Sequence, residues 1–128
     1  MPADMIELTT PVGRAWEPVV RMVLGGIADR LDLGFDELDD LQLAVERLLA
    51  EGDPQDPVTL SFELLDRGVR TRVGPLRDSA IARALQGPPP GPGELTLPRI
   101  LQTVVDSYGV EEVADGHLVV RLEKEVRG

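Results

Sequence analysis

Four carboxylates fall within five residues at Asp36, Glu37, Asp39 and Asp40. Acids this dense can meet a basic partner, or they can face water and complement the positive end of a helix. They could also chelate a hard cation, but the spacing lacks the internal glycine and terminal glutamate of a calcium loop. Farther along, Glu46 and Glu51 raise the question of an acid–base pair. Five helical residues set them about 140° apart, so they do not converge on one site. His117 is the single histidine and follows an Asp-Gly turn signal, which makes it a surface residue in preference to a general base. Arg70 and Arg72 alternate with Val69, Thr71 and Val73, so they share one face of a strand. With Arg67 and Arg77 they form a modest basic patch, suited to an acidic partner or to nearby acids of the same chain.

Composition limits what these residues can serve. The chain has 128 residues, with 13 Lys and Arg against 23 Asp and Glu, a net charge of −10. Such acidity argues against direct contact with nucleic acid or an anionic membrane, whose phosphates must be met by cations. A hydrophobic content of 42% is too high for a disordered acidic tail. There is no cysteine, which removes disulfides, thiolate metal sites and thiol nucleophiles, and there is no asparagine at all. The acidity is concentrated: from Asp36 to Asp56, eight acids stand against the single base Arg47. The first ten residues carry Asp4 and Glu7 and lack the basic, then apolar, pattern of a signal peptide. No apolar run approaches the roughly eighteen residues of a membrane span. A cytoplasmic protein of one domain is the expectation.

The elements that would position these residues follow from periodicity. Met5–Thr10 alternates and reads as a strand ended by Pro11. Trp16, Val20, Val23, Leu24, Ile27 and Leu31 make a helical stripe, with Pro18 tolerable in its first turn. The Gly25-Gly26 pair weakens that helix by about 1 kcal/mol per glycine, a cost that close packing against a neighbour would justify. Asp36 is the expected N-cap of a second helix whose buried stripe is Leu38, Leu41, Val45, Leu48 and Leu49, with Gly52 as its stop. Strands are expected at Val58–Leu65 and Val69–Val73, joined by Asp66-Arg67-Gly68. Asp78–Gln86 is a short helix candidate, and Gly87-Pro-Pro-Pro-Gly-Pro-Gly93 favours an extended path. Leu97–Tyr108 reads as a helix capped by Gly109, followed by strands at Val110–Ala114 and His117–Val126 around Asp115-Gly116. Hairpin-joined strands with grouped helices predict an α+β two-layer sandwich, with a mixed or antiparallel sheet and helices on one face.

The string Leu33-Gly-Phe-Asp-Glu-Leu-Asp-Asp-Leu-Gln-Leu-Ala-Val45, set in this order of elements, resembles the anti-sigma factor serine-protein kinases of bacterial partner-switching systems. These are small members of the histidine kinase-like ATPase superfamily, the Bergerat fold, so the resemblance implies one such domain over residues 1–128. It also implies a place for each part of a nucleotide site. Where the family has the glutamate that activates the attacking hydroxyl, this chain has Arg47; where it has the asparagine that holds Mg²⁺, this chain has Glu51. The family's Asp-x-Gly adenine motif corresponds to Val73-Gly-Pro-Leu-Arg-Asp78, with Asp78 out of register. Its second glycine box corresponds to Gly93-Glu-Leu-Thr-Leu-Pro98, where Leu95 and Thr96 stand in place of glycines whose bare backbone can approach phosphate. The Pro-Gly stretch replaces the family's ATP lid.

Four independent departures from one site make a non-catalytic member the expectation, with no catalytic residue, cofactor or metal. Its partner by resemblance is a sigma factor or an anti-anti-sigma protein, and its state a homodimer. The binding face, chosen on charge alone, is Asp36, Glu37, Asp39 and Asp40. The alternative is an ATP-dependent serine-protein kinase with a remodelled nucleotide site.

Overall fold

The computed structural model describes residues 4–51, 56–77 and 96–126. Five strands form one sheet: β1 (Asp4–Thr10), β2 (Val58–Leu65), β3 (Gly68–Arg77), β4 (Ser107–Ala114) and β5 (His117–Glu125). Their order is β1-β2-β3-β5-β4, and every neighbouring pair is antiparallel. The expected choice between a mixed and an antiparallel sheet is therefore resolved as antiparallel. The described helices are α1 (Glu17–Leu31), α2 (Phe35–Ala50) and α3 (Leu97–Val104), with a 3₁₀ turn at Arg14–Trp16 leading into α1.

Alternation makes the sheet two-faced. Val58, Leu60, Phe62 and Leu64 of β2, Val69 and Val73 of β3, and Leu118, Val120 and Leu122 of β5 are buried in one core. Val20, Leu24 and Ile27 of α1, Leu41, Ala44, Val45 and Leu48 of α2, and Leu97, Leu101 and Val104 of α3 complete that core. Each large side chain buried there contributes about 1.5–3 kcal/mol through removal of apolar surface from water. The result is a two-layer α+β arrangement.

Several boundaries differ from the sequence expectation, each for a local reason. The N-cap of α2 is Gly34, not Asp36, because the Glu37 carboxylate turns back to accept the Gly34 N–H while the Gly34 carbonyl accepts from Leu38 N–H at 3.0 Å. Strand β3 runs past Val73 to Arg77, and a register shift between Val73 and Leu76 takes Pro75, which has no N–H to donate, out of the ladder. Helix α3 stops at Val104: Val105 is extended, and Asp106 N–H donates to the Glu123 carbonyl at 2.9 Å, which starts β4 pairing early. Gly109 consequently lies in β4 and caps no helix; the Arg121 guanidinium lies across it, 2.6 Å from where a Cβ would stand. Around Asp115-Gly116, both residues have positive φ (55° and 75°), as a tight hairpin turn requires. The expected stop at Gly52, the helix at Asp78–Gln86 and the Gly87–Gly93 stretch lie outside the described residues.

Candidate functional site

Helix α2 carries the acids that the sequence singles out, and the fold separates them into two kinds. Asp36 and Asp39 are exposed. Glu37 is half-buried and spends its carboxylate on the Gly34 N–H, so it holds the helix start in place. Asp40 faces inward enough to meet Lys124 of β5, whose ammonium lies 3.2 Å from Oδ2. That lysine was not singled out from the sequence pattern. It sits at an inward position of β5, only 6% exposed, and donates to the Val104 carbonyl at the end of α3 at 2.7 Å. Lys124 thus ties α2, α3 and β5 together at one point. Its signal in the sequence was alternation: Leu118, Val120, Leu122 and Lys124 share a face.

Two turns beyond the acids, α2 places Arg47 half-buried, with a buried Nε that has no hydrogen-bond partner among the described residues. Glu51 follows at the C-cap, where its N–H donates to the Leu48 carbonyl at 3.0 Å. Glu46 points the other way and binds Arg21 of α1 at 2.8 Å. That hydrogen bond, together with the carboxylate's charge, raises the Arg21 pKa above its ordinary value. Glu46 and Glu51 therefore do not meet, as their spacing implies.

The outer face of the sheet is a lattice of opposite charges. Arg70 lies 2.9 Å from Glu63 and 3.7 Å from Glu123. Arg72 lies 2.8 Å from Glu111 and 3.7 Å from Glu63, and Arg121 lies 3.1 Å from Glu123. The basic patch read from the strand pattern is thus matched, at Arg70 and Arg72, by acids of the same face. His117 is half-buried where β5 begins, its Nδ1 3.0 Å from the Asp115 carbonyl, which holds the ring against its own turn.

Among the described residues no cluster of three or more His, Asp or Glu is placed to hold a metal ion, and no helix is long and apolar enough to cross a membrane. What the exposed acids of α2 can do is electrostatic: attract and orient a cationic surface. Two apolar side chains missed by the sequence reading stand in the open, Phe35 at the start of α2 at 87% and Met22 of α1 at 77% exposure. Phe35 was legible in hindsight, since a Gly-x-x-Glu box at Gly34 and Glu37 puts residue 35 at the first helical position, beside the cap and clear of the core. No protein-family model matches the chain, and no curated protein matches it either.

Proposed function

We propose that this chain is a non-catalytic regulator that acts by binding a partner one to one. In this reading it is a Bergerat-fold relative of the anti-sigma factor kinases, and its partner is a sigma factor or an anti-anti-sigma protein in a switch controlling transcription. The observation that carries the proposal is Arg47. It occupies the position at which the resembled family needs a carboxylate base, and a guanidinium offers only N–H donors, with no acceptor to take a proton from an attacking hydroxyl. Its buried Nε also turns part of that side chain into the fold. The order of a strand, two helices, a hairpin, a helix and a second hairpin is in keeping with the same family.

Regulation then comes from occlusion. A preformed acidic face on α2 covers a basic surface of the partner, and release requires a competitor instead of phosphate transfer. Calorimetric titration with ATP and Mg²⁺ tests the non-catalytic part. The expected result is no heat of binding; a Kd tighter than about 100 µM, about −5.5 kcal/mol, overturns it in favour of a remodelled kinase. Purification from the native host with a sigma factor or small antagonist attached at one to one is the expected positive result. The resemblance also implies a cytoplasmic homodimer, and sedimentation equilibrium at twice the chain mass is the matching expectation.

A further inference from the structure

The corner where α1 turns into α2 holds more than acids. A recess of about 320 Å³ opens there, lined by Gly25, Ala28, Leu33, Phe35 and Leu38 together with Asp29 and Asp32. Phe35 forms one wall while remaining 87% exposed, and Met22 stands one turn of α1 before Gly25, 77% exposed. Large apolar side chains held this far into water, beside an open recess, are a common mark of an interaction surface. The Gly25-Gly26 pair points the same way. Among the described residues, no atom outside the adjacent backbone of α1 lies within 4 Å of where either Cβ would be, so close packing against them does not explain glycines that weaken α1. A backbone left bare on the outside lets something from outside approach it closely.

Charge selects what that something is. Asp29 and Asp32 line the recess, and Asp36 and Asp39 each follow a lining residue of α2, Phe35 and Leu38; all four are exposed, and among the described residues no cation pairs with any of them. The arginines of α1 are engaged elsewhere: Arg21 with Glu46 and Arg30 with Asp4. A second copy of this chain is a poor occupant, because a symmetric contact would set four acids against four. A cationic partner gains from the same four charges.

We infer that the α1–α2 corner is the docking surface for a basic amphipathic segment of a partner protein. One apolar side chain of that segment enters the recess beside Phe35, and its Lys and Arg residues face Asp29, Asp32, Asp36 and Asp39. The inference rests on the partner-binding reading above and narrows it: the acids that matter are Asp36 and Asp39 with Asp29 of α1 and its C-cap Asp32, while Glu37 and Asp40 are held by contacts within the fold. A recess of this volume is near the lower end for ligand pockets, suited to one or two aliphatic side chains.

The test uses the whole ¹⁵N-labelled chain titrated with a synthetic Lys/Leu peptide whose leucines recur at i, i+3, i+4 and i+7, and with a permuted peptide of the same composition. Amide shifts centred on residues 25–39, with the amphipathic peptide binding at least about tenfold more tightly than its permutation, are expected. Phe35→Ala removes the anchor wall and Gly25→Leu fills the recess; each is expected to weaken binding about tenfold, as loss of a central apolar contact does. Neither substitution touches the core, and Gly25→Leu favours the helix, so both variants should unfold no earlier than the parent. Shifts centred on the outer sheet face or beside Arg47, equal affinity for the permuted peptide, or unchanged affinity in both variants overturns the inference. ATP binding in the calorimeter overturns the non-catalytic reading and leaves this result standing, so the two failures are distinguishable.

Discussion

Replacing Lys124 by methionine isolates what a buried ammonium does for this fold. The side chain is 6% exposed, and methionine keeps most of its apolar stem while deleting the charge. Two contacts vanish. The first is the hydrogen bond to the Val104 carbonyl at 2.7 Å, one of the acceptors that a helix end leaves unpaired. A hydrogen bond from a charged donor contributes about 1.5–3 kcal/mol, and an acceptor left buried without one costs a similar amount. The second is the pair with Asp40 at 3.2 Å, whose carboxylate is 41% exposed; a pair so open to water contributes no more than about 1 kcal/mol. Against both stands the desolvation of the ammonium, which methionine relieves. The net expectation for Lys124→Met is a loss of about 2 kcal/mol, or about 8 °C in Tm for a chain this size. Asp40→Asn should cost about 0.5 kcal/mol, since it breaks only the exposed contact. Urea unfolding followed by circular dichroism, with the slope unchanged between variants, measures both. A double-mutant cycle should give a coupling below about 1 kcal/mol. If Asp40→Asn is as costly as Lys124→Met, the ion pair and not the helix-end hydrogen bond governs the site. If Lys124→Met is neutral or stabilising, desolvation outweighs both contacts. Either outcome refutes the reasoning.

Glycines offer a second contrast: Gly26→Ala should raise stability by about 1 kcal/mol in thermal melts, because α1 gains a better helix former and the added Cβ meets nothing within 4 Å among the described residues beyond the adjacent helix backbone. Gly68→Ala should lower it by 2 kcal/mol or about that, because the new Cβ would stand 2.5 Å from the Lys124 carbonyl oxygen in the paired strand. Glu37→Ala should cost about 1 kcal/mol by releasing the Gly34 N–H, measured by the same melts, whereas Asp36→Ala should cost less than half of that if Asp36 is not the cap. Raising salt from low to high concentration should change the stability of Arg70→Ala and of the parent chain by similar small amounts, since the outer-face pairs are all partly solvated.

Period-two alternation made β2 legible to the residue, and the Asp115-Gly116 turn fixed the closing hairpin, because both signals are local and steric. Where the sequence misled, a distant contact had outvoted a local preference. The apolar spacing of Leu97, Ile100, Leu101, Val104 and Val105 continues a helical pattern, yet the helix ends at Val104 since the next residues pair with β5. Gly109 carries the same lesson: a glycine near an expected helix end looks like a cap, and its actual reason is the Arg121 side chain from the neighbouring strand. For the site, the acidic start of α2 was visible as composition. The division of labour among its acids was not, because it depends on Lys124, more than eighty positions away. Nor could spacing reveal that Asp29 of α1 and its C-cap Asp32 would share a recess with Phe35 and Leu38 of α2.

The strand order has a consequence for how this chain reaches its native state. Two of the seams in the sheet, β2 with β3 and β4 with β5, are closed by tight turns and join near neighbours. The central seam, β3 with β5, pairs Arg77 with His117 and Gly68 with Glu125, so it must close a long loop that includes α3. Hairpins form in about 1–10 µs, whereas a distant seam has to be found by diffusion of the intervening chain. The sheet is therefore two local hairpins joined late, with β1 added to β2 across a second distant seam, and the entropy of such closure grows only slowly with loop length, about 0.6 kcal/mol per doubling. Evolution can lengthen or shorten the connection between the two halves at small thermodynamic cost, while the halves themselves tolerate almost no change of register.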